Sequence, residues 1–244
     1  MRDQPRDNPR YWTGRSDGSV EIKDSLSEMF PGLGVLQIQV RDLVIKDKDP
    51  RLEEAKSRVC SKIRDSIGSP DQVKDQRILR AYRDFYWRVG IDPTKTRPAG
   101  EALVRRIVSG RGLPQINTFV DAYNIASAES FIAIAAFDLA RVDPDGLVMR
   151  RARAGEEFLG IGMEKPIVLS GVEVVVEDRG RLIALYPYRD SDESKVTMDT
   201  KGALLMMCGV PGLGEADLQL ASSLAKRYVE EFCTKRGSSG ASGP

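Results

Sequence analysis

The sequence predicts an α+β protein in which mixed or antiparallel β-sheets pack against helices. In the first half of the chain, apolar residues recur every three or four positions, which is the spacing of one helix face. After Phe131 the pattern changes to short alternating or continuous apolar runs separated by glycine-containing turns, which is typical of strands. We therefore expect a helical N-terminal half and a strand-rich C-terminal half.

The two ends of the chain differ in composition from everything between them. Residues 1–18 are rich in Arg, Asp, Pro and Gly without apolar periodicity, and residues 237–244 have the sequence GSSGASGP. Such segments bury too little apolar surface to be ordered by a core of their own. We expect a flexible leader, a flexible tail and one α+β unit over residues 19–236, which is long enough to build a core.

Five helices are predicted from apolar periodicity and from the residues that begin and end them. Aromatic residues on the second helix are expected in the core rather than as a base-stacking platform, because a helix must bury one face to be stable. Pro98 suits the start of the third helix and Gly110 its end, while Asn117 is a good N-cap for the fourth. The predicted helices cover residues 50–67, 72–89, 98–109, 117 onward and 215–232.

The predicted strands include one clear alternation and one hairpin. Residues 35–45 alternate apolar and polar side chains, which indicates a strand with one buried face. Residues 171–177 and 181–186 are expected to pair as a hairpin closed at Asp178-Arg179-Gly180. Further strands are predicted at residues 131–137, 146–151 and 203–208. The glycine-rich segments 160–166 and 209–214 lack the order of a phosphate or dinucleotide loop and are interpreted as turns.

The composition excludes several classes of chemistry. The chain contains no histidine, so histidine nucleophile systems, histidine general bases and histidine metal sites are excluded. The three cysteines are far apart and lie in apolar or helical contexts, which is typical of reduced core cysteines in a cytoplasmic protein. We expect no metal and no cofactor, and no apolar run approaches the length of a membrane span.

Positive charge is concentrated in one part of an otherwise balanced chain. The whole chain carries 37 basic and 36 acidic residues, but Lys74 to Arg111 contains ten basic and four acidic residues. A local patch of this kind is a candidate RNA-binding surface, although two of its arginines fall at a helix C-terminus where they also suit the helix dipole. The RNA-binding candidates are Arg97, Arg105, Arg106 and Arg111.

The segment from Arg189 to Thr200 is the richest polar stretch of the chain. Its Asp190, Asp192 and Ser194 have the spacing of a calcium loop, but Lys195 stands where that loop needs glycine, so calcium is not expected. A solvated turn whose hydroxyls cap local backbone is the competing interpretation.

The order of several motifs resembles the tRNA-editing (B3/4) domain of the phenylalanyl-tRNA synthetase β subunit. The resemblance rests on Asn117, on Ala136-Phe137-Asp138-Leu139, on the run from Gly146 to Arg150, and on Glu193-Ser194-x-Val196-x-x-Asp199-Thr200. Segments Arg97 to Leu103 and Arg189 to Ser191 are similar to those of free-standing forms of this domain. The resemblance covers about residues 75–230.

The resemblance implies a mixed α+β fold, aminoacylated tRNA as partner and hydrolysis of the ester of mischarged tRNA, notably with tyrosine. It implies neither DNA nor a membrane as partner. Two departures concern the site: Ala135 occupies the position of the synthetase's editing histidine, and Ser191-Asp192 replaces a glycine pair. The leading hypothesis is a trans-acting aminoacyl-tRNA deacylase, and the alternative is a non-catalytic tRNA or amino-acid binding module.

The candidate site residues come from the polar loop and the resemblance together. Glu193 and Thr200 are the candidate catalytic residues, because a carboxylate can hold the attacking water or the substrate ammonium group. Glu193 has a competing role as acceptor for a tyrosine hydroxyl, and Asp190 is the alternative group for positioning water. The candidate substrate-binding residues are Asn117, Asp121, Arg189, Asp190, Ser191, Ser194 and Thr197.

Overall fold

Six helices and ten strands form the part of the chain that the computed structural model describes, residues 20–235. The predicted leader and the predicted tail, residues 1–18 and 237–244, lie outside it. The helices are α1 (Asp24–Met29), α2 (Pro50–Ser66), α3 (Arg77–Arg88), α4 (Ala99–Val108), α5 (Thr118–Ser130) and α6 (Glu215–Cys233). The strands are β1 (Glu21–Ile22), β2 (Gly34–Arg41), β3 (Ile134–Asp138), β4 (Leu147–Arg151), β5 (Glu157–Phe158), β6 (Ile167–Val168), β7 (Val174–Asp178), β8 (Arg181–Tyr186), β9 (Arg189–Asp190) and β10 (Gly202–Gly209).

The strands form two main sheets whose edges matter for the site. Strands β2, β10 and β3 make an antiparallel sheet in that order, so β3 is an edge strand. A second sheet has the order β1-β4-β7-β8-β9, is antiparallel except for the parallel pair β1 and β4, and has β9 at its edge. Strands β5 and β6 form a small separate pair. The predicted α+β class with mixed and antiparallel sheets is confirmed.

The predicted hairpin is confirmed and has a defined turn. Strands β7 and β8 pair up to Asp178 opposite Arg181, and the two intervening residues both have positive φ, 50° for Arg179 and 87° for Gly180. Positive φ at both central residues makes a type I′ turn, whose twist matches that of paired strands. The two glycine-rich segments also contain turns, as predicted.

The prediction of the second helix, residues 72–89, was wrong for its first residues, because α3 begins only at Arg77. Residues Val73–Asp75 form a separate 3₁₀ turn, and Gln76 is extended (φ −62°, ψ 130°) before α3 begins. The buried face of α3 carries Tyr82, Phe85 and Tyr86 as predicted, together with Leu79. These aromatic rings belong to the core, since each is at most 1% exposed.

Strand β2 is more buried than its alternating pattern predicts. Its first five residues are all buried, and Gln37 on the predicted solvent face is 2% exposed. Both faces are therefore covered over this length, with α6 among the elements packed on the strand. The strand ends at Arg41, four residues before the predicted end, and Asp42 follows with φ 56°.

No helix among residues 20–235 has both the length and the apolar composition needed to cross a membrane.

Candidate functional site

A small cavity lies where the free edges of the two main sheets meet. Its walls come from edge strand β3, from β8 and edge strand β9, and from the inner strand β10. Its volume is about 110 Å³. The lining residues are Ala99, Ala133, Ile134, Ala135, Ala184, Leu185, Tyr186, Pro187, Tyr188, Arg189, Asp190, Met206 and Cys208.

Asp190 is the only carboxylate that the described residues contribute to the wall of this cavity. Strand β9 pairs Asp190 with Ala184 of β8, and the carboxyl group reaches across to β3, where its Oδ2 accepts a hydrogen bond from the Ala136 N–H at 3.2 Å. That N–H belongs to an edge strand and would otherwise face the gap between the sheets. A single side chain therefore joins the two sheet edges.

The environment of Asp190 favours its neutral form. The residue keeps partial solvent exposure through the cavity, but its carboxyl group lies deep among protein atoms, and this burial raises its pKa from 3.8 to about 7. The Ala136 hydrogen bond acts in the opposite direction and is the smaller effect. No cation forms an ion pair with Asp190 within residues 20–235. A carboxyl group with these properties is suited to exchange a proton near neutral pH.

The thiol in the same wall is not suited to nucleophilic attack. Cys208 is 2% exposed, and burial, with a smaller effect from the charge of Asp190, raises the pKa of its thiol well above 9.0. The thiolate is the reactive form of cysteine, so this side chain stays an inert part of the wall at neutral pH.

A basic cleft of about 500 Å³ adjoins the cavity. Tyr188 and Arg189 belong to both walls, so the two spaces are neighbours. Arg97 and Arg111 are exposed in the cleft and form no ion pair within the described part of the chain. The cleft is lined by Pro70, Lys95, Thr96, Arg97, Ala102, Arg105, Ser109, Arg111, Tyr188 and Arg189. Five cationic side chains thus converge beside the cavity, which is a suitable environment for phosphate groups.

Of the four predicted RNA-binding arginines, Arg105 forms an ion pair within the protein and Arg106 lies outside the cleft. Arg105 donates to Glu101 at 2.8 Å, and Arg83 contacts the same carboxylate at 3.0 Å. Glu101 is fully buried, so two guanidinium groups hold one buried charge and Arg105 is partly committed to structure. Arg106 does not line the cleft, and its Nε is buried without a hydrogen-bond partner among the described residues.

Arg189 forms the partition between cavity and cleft. Its guanidinium group lies 5.0 Å from the centre of the Tyr188 ring and donates to the Ile161 carbonyl at 2.7 Å. Gly160 permits this position, because a Cβ there would lie 2.3 Å from Arg189 Cδ. The guanidinium is therefore held in one place by stacking and by a backbone acceptor.

Glu193 lies on the surface and not in the cavity wall. Its side chain is 66% exposed and its nearest cation is Arg181, at 4.0 Å. The backbone oxygen of Glu193 accepts a hydrogen bond from Arg141, which fixes the position of the 3₁₀ turn Asp192–Ser194. The structure thus places the principal sequence candidate apart from Asp190, although the two are three residues apart in the chain.

The hydroxyl groups of the same loop are used in local hydrogen bonds. Thr200 is 2% exposed, donates to Asp138 at 2.7 Å and accepts from the Thr197 N–H at 2.9 Å. Ser191 accepts from the Glu193 N–H, and the Ser194 hydroxyl donates to the Ser191 carbonyl at 3.4 Å. These contacts support the competing interpretation of the loop as locally capped backbone.

Asn117 and Asp121 are occupied at the start of α5. The Asn117 side chain caps the helix by accepting from Phe119 and Val120, as its N-cap prediction requires. Asp121 is 2% exposed and forms a buried ion pair with Lys56 at 2.9 Å. Neither residue lines the cavity or the cleft.

Of the predicted substrate-binding residues, Arg189 and Asp190 are the two that the cavity brings together. The sequence analysis did not select Tyr188 or Lys95 as site residues. Tyr188 directly precedes the Arg-Asp pair, and Lys95 belongs to the basic segment, so both carried a weak signal. The small residues of the walls carried none.

The fold and the site together define an α+β protein with an acid-bearing cavity that adjoins a basic cleft. The model of one protein family, the B3/4 domain, matches residues 81–233 of this chain, which include every residue of the cavity wall. The chain therefore belongs to the B3/4 domain family.

Two curated relatives are phenylalanine–tRNA ligase β subunits. The one from Chromobacterium violaceum is 34% identical over 97 residues, 40% of this chain and 12% of the relative. The one from Symbiobacterium thermophilum is 30% identical over 121 residues, 50% of this chain and 14% of the relative. A solved N-terminal fragment of the phenylalanyl-tRNA synthetase β subunit from Pyrococcus horikoshii has a TM-score of 0.46 and 14% identity, covering 91% of this chain and 51% of the fragment.

Proposed function

We propose that this protein hydrolyses the ester bond of mischarged aminoacyl-tRNA. The observation that carries the proposal is the Asp190 carboxyl group, in a small cavity that shares the wall residues Tyr188 and Arg189 with a basic cleft. Family membership supports the same proposal, since the matching relatives are β subunits of phenylalanine–tRNA ligase.

The arrangement matches the two halves of such a substrate. The 3′ end of a tRNA is a polyanion, and the cleft offers Lys95, Arg97 and Arg111 as exposed cations. Arg189 stands at the boundary with its guanidinium fixed on Tyr188, where the last phosphate or ribose would pass. The aminoacyl group then enters the cavity, which is largely apolar apart from Asp190 and Arg189.

The proposed reaction uses the ionised form of Asp190 as a general base. Asp190 takes a proton from a water molecule, whose oxygen bonds to the ester carbonyl carbon, and the bond between that carbon and the ribose oxygen breaks. The ribose oxygen takes up the proton, so the products are a free amino acid and uncharged tRNA. An aminoacyl ester is already activated, and a positioned water with a base of pKa about 7 is sufficient chemistry without a protein nucleophile.

The neighbourhood of Ala135 supports the assignment of Asp190. Ala135 stands in the cavity wall at the position where the family resemblance implies a histidine. In this chain β9 supplies an ionisable group at that place instead. The Asp190 carboxyl group accepts a hydrogen bond from the N–H of Ala136, the residue after Ala135. We propose that Asp190 does the work that a histidine would otherwise do.

A non-catalytic tRNA-binding module is the second candidate, and the lack of any histidine favours it. The two candidates share the basic cleft and differ only in whether hydrolysis takes place after binding. Incubation of the protein with a panel of mischarged tRNAs separates them, since binding without hydrolysis of any member identifies the module.

We expect Asp190→Asn to lower the rate of deacylation by about 10²–10⁴-fold, the usual contribution of a general base. The rate of the unaltered protein should rise with pH around a midpoint near 7, where Asp190 ionises. Single-turnover release of labelled amino acid measures both.

Glu193→Gln is the matched control, because it neutralises an exposed carboxylate of the same loop. It should leave the rate within about twofold of the unaltered protein. Full activity of the Asp190 variant together with loss of activity in the Glu193 variant would show that the reaction takes place at the surface loop and not in the cavity. A changed preference among amino acids in the Glu193 variant would instead assign that residue to recognition.

A further inference from the structure

The cavity has a volume of about 110 Å³, and the side that β3, β8 and β10 form is lined mainly by buried residues. Alanine side chains line it at positions 133 and 135, in β3 and directly before it, and at position 184 in β8, and none of them is more than 8% exposed. Met206 stands opposite Ala135 in the register of β10 and β3 and is fully buried. On the side formed by these strands, the size of the space is therefore set by well-packed backbone and short side chains.

We propose that the aminoacyl group removed by this protein is a small aliphatic one, alanine before all others, and not an aromatic one. This inference rests on the proposed deacylase function and adds the substrate class. It differs from the tyrosine specificity that the family resemblance implies.

The volume decides against an aromatic ring. A cavity of about 150 Å³ in a packed protein interior is known to hold one benzene molecule. The cavity here is about 110 Å³, and it has to hold the α-carbon and ester carbonyl as well as the side chain. A space smaller than the one that holds a benzene ring suits a side chain of very few heavy atoms, such as the methyl group of alanine.

The chemistry of the wall favours alanine among the small amino acids. Apart from the reacting region at Asp190 and Arg189, the wall consists mainly of alanine, isoleucine, leucine and methionine side chains. A methyl group buried there gains apolar contact that glycine lacks. An acidic side chain would be repelled by Asp190, and a serine hydroxyl would compete with water for that same acceptor.

The test compares alanyl-, glycyl-, seryl-, tyrosyl- and phenylalanyl-tRNA under single-turnover conditions with the unaltered protein. We expect alanyl-tRNA to react about a hundredfold faster, or more, than either aromatic ester. Equal or faster hydrolysis of the aromatic esters would overturn the inference and leave the deacylase proposal intact.

A binding measurement keeps the two proposals separate if no ester is hydrolysed. Adenosine carrying alanine or tyrosine through a 3′-amide resists hydrolysis and presents the same aminoacyl group. In a protein without activity, tighter binding of the alanyl compound would still support the size of the cavity, whereas preference for the tyrosyl compound would overturn it.

Met206→Ala should enlarge the cavity and raise the rate on phenylalanyl-tRNA at least about tenfold relative to alanyl-tRNA. Met207→Ala is the matched control, because Met207 is equally buried on the same strand, faces the other side of the sheet and does not line the cavity. If Met206→Ala does not fold, Ala184→Val tests the same point from the opposite direction, since filling the cavity should abolish alanyl-tRNA hydrolysis. An unchanged substrate ranking in a folded Met206→Ala or Ala184→Val protein would overturn the inference.

Discussion

Buried carboxylates in this protein lie in contrasting environments. Glu101 is held between Arg83 and Arg105, and Asp121 forms an ion pair with Lys56. Asp190 has a single backbone N–H as partner and no cation among residues 20–235. A buried carboxylate without a cation is costly to the folded state, and its position at a cavity is what makes Asp190 the candidate for the proposed chemistry.

At the residue scale, Asp190 should reduce stability at high pH. Because its folded pKa of about 7 exceeds the unfolded value of 3.8, the folded state binds the extra proton between these values, and stability falls as pH rises through about 7. We expect Asp190→Asn to raise the free energy of unfolding at about pH 8 by roughly 4 kcal/mol, and by much less at about pH 4.5. Urea unfolding at both pH values measures the difference.

Glu193→Gln is again the control, because it neutralises an exposed carboxylate of the same loop. If Asp190→Asn changes the free energy of unfolding equally at the two pH values, burial does not raise the pKa of this carboxyl group. A gain in stability at pH 8 combined with loss of activity would be the pattern of a functional group that the fold tolerates at a cost.

At the element scale, the cleft depends on α4 and on the segments that flank it. The C-terminal turn of α4 places Arg105 beside Glu101, while Lys95 and Arg97 precede the helix and Arg111 follows it. The flanking residues therefore provide the exposed positive charge of the cleft, whereas Arg105 stabilises the buried Glu101 carboxylate. Reversal of Arg105 would confound loss of RNA contact with loss of the ion pair that holds Glu101.

Reversal of the three flanking charges is the direct test of the cleft. We expect Lys95→Glu, Arg97→Glu and Arg111→Glu together to weaken tRNA binding at least about tenfold. Each phosphate contact that is lost reduces the number of counterions that binding releases. The plot of the logarithm of the binding constant against the logarithm of the salt concentration should become less steep, by about 2–3 in slope, for the same reason. Fluorescence anisotropy with labelled tRNA at several salt concentrations gives both quantities.

The matched control replaces three exposed basic residues outside the cleft, Lys48, Arg58 and Lys226, by glutamate. It changes the net charge equally and should change the affinity and the salt slope much less. Equal weakening by both triple variants would assign binding to overall charge and remove the cleft from the proposal.

At the scale of the whole molecule, one hydroxyl group connects the two main sheets. Tyr186 at the end of β8 is 1% exposed, and its hydroxyl lies 3.0 Å from the Gly34 carbonyl and 2.8 Å from the Gly209 carbonyl. Gly34 and Gly209 are paired at the ends of β2 and β10. The same ring forms part of the cavity wall, so the joint between the sheets also shapes the site.

Tyr186→Phe should lower the free energy of unfolding by about 1–3 kcal/mol, because buried carbonyl groups lose their shared donor. Thermal or urea unfolding measures the change. Tyr123→Phe is the control, since the Tyr123 hydroxyl makes no hydrogen bond among the described residues, and it should cost less. Equal losses in the two variants would remove the hydroxyl as the joint between the sheets.

Local pattern was sufficient for most of the secondary structure. Helix α2 follows from one apolar stripe, α5 from the Asn117 cap, and the β7–β8 hairpin from its glycine turn, because each depends on residues that are close together in the chain. The break before α3 and the burial of Gln37 were missed, because they depend on which other elements cover those residues.

The sequence by itself determined the α+β class, the exclusion of histidine chemistry and the concentration of basic residues before α5. It also brought forward Glu193 as the catalytic candidate and Asp190, three residues earlier, as the alternative. Only the tertiary structure separated the two, because β9 carries Asp190 to the N–H of Ala136, 54 residues away, while Glu193 turns outward. Burial and cavity volume arise from contacts between distant segments, and short stretches of sequence do not contain them.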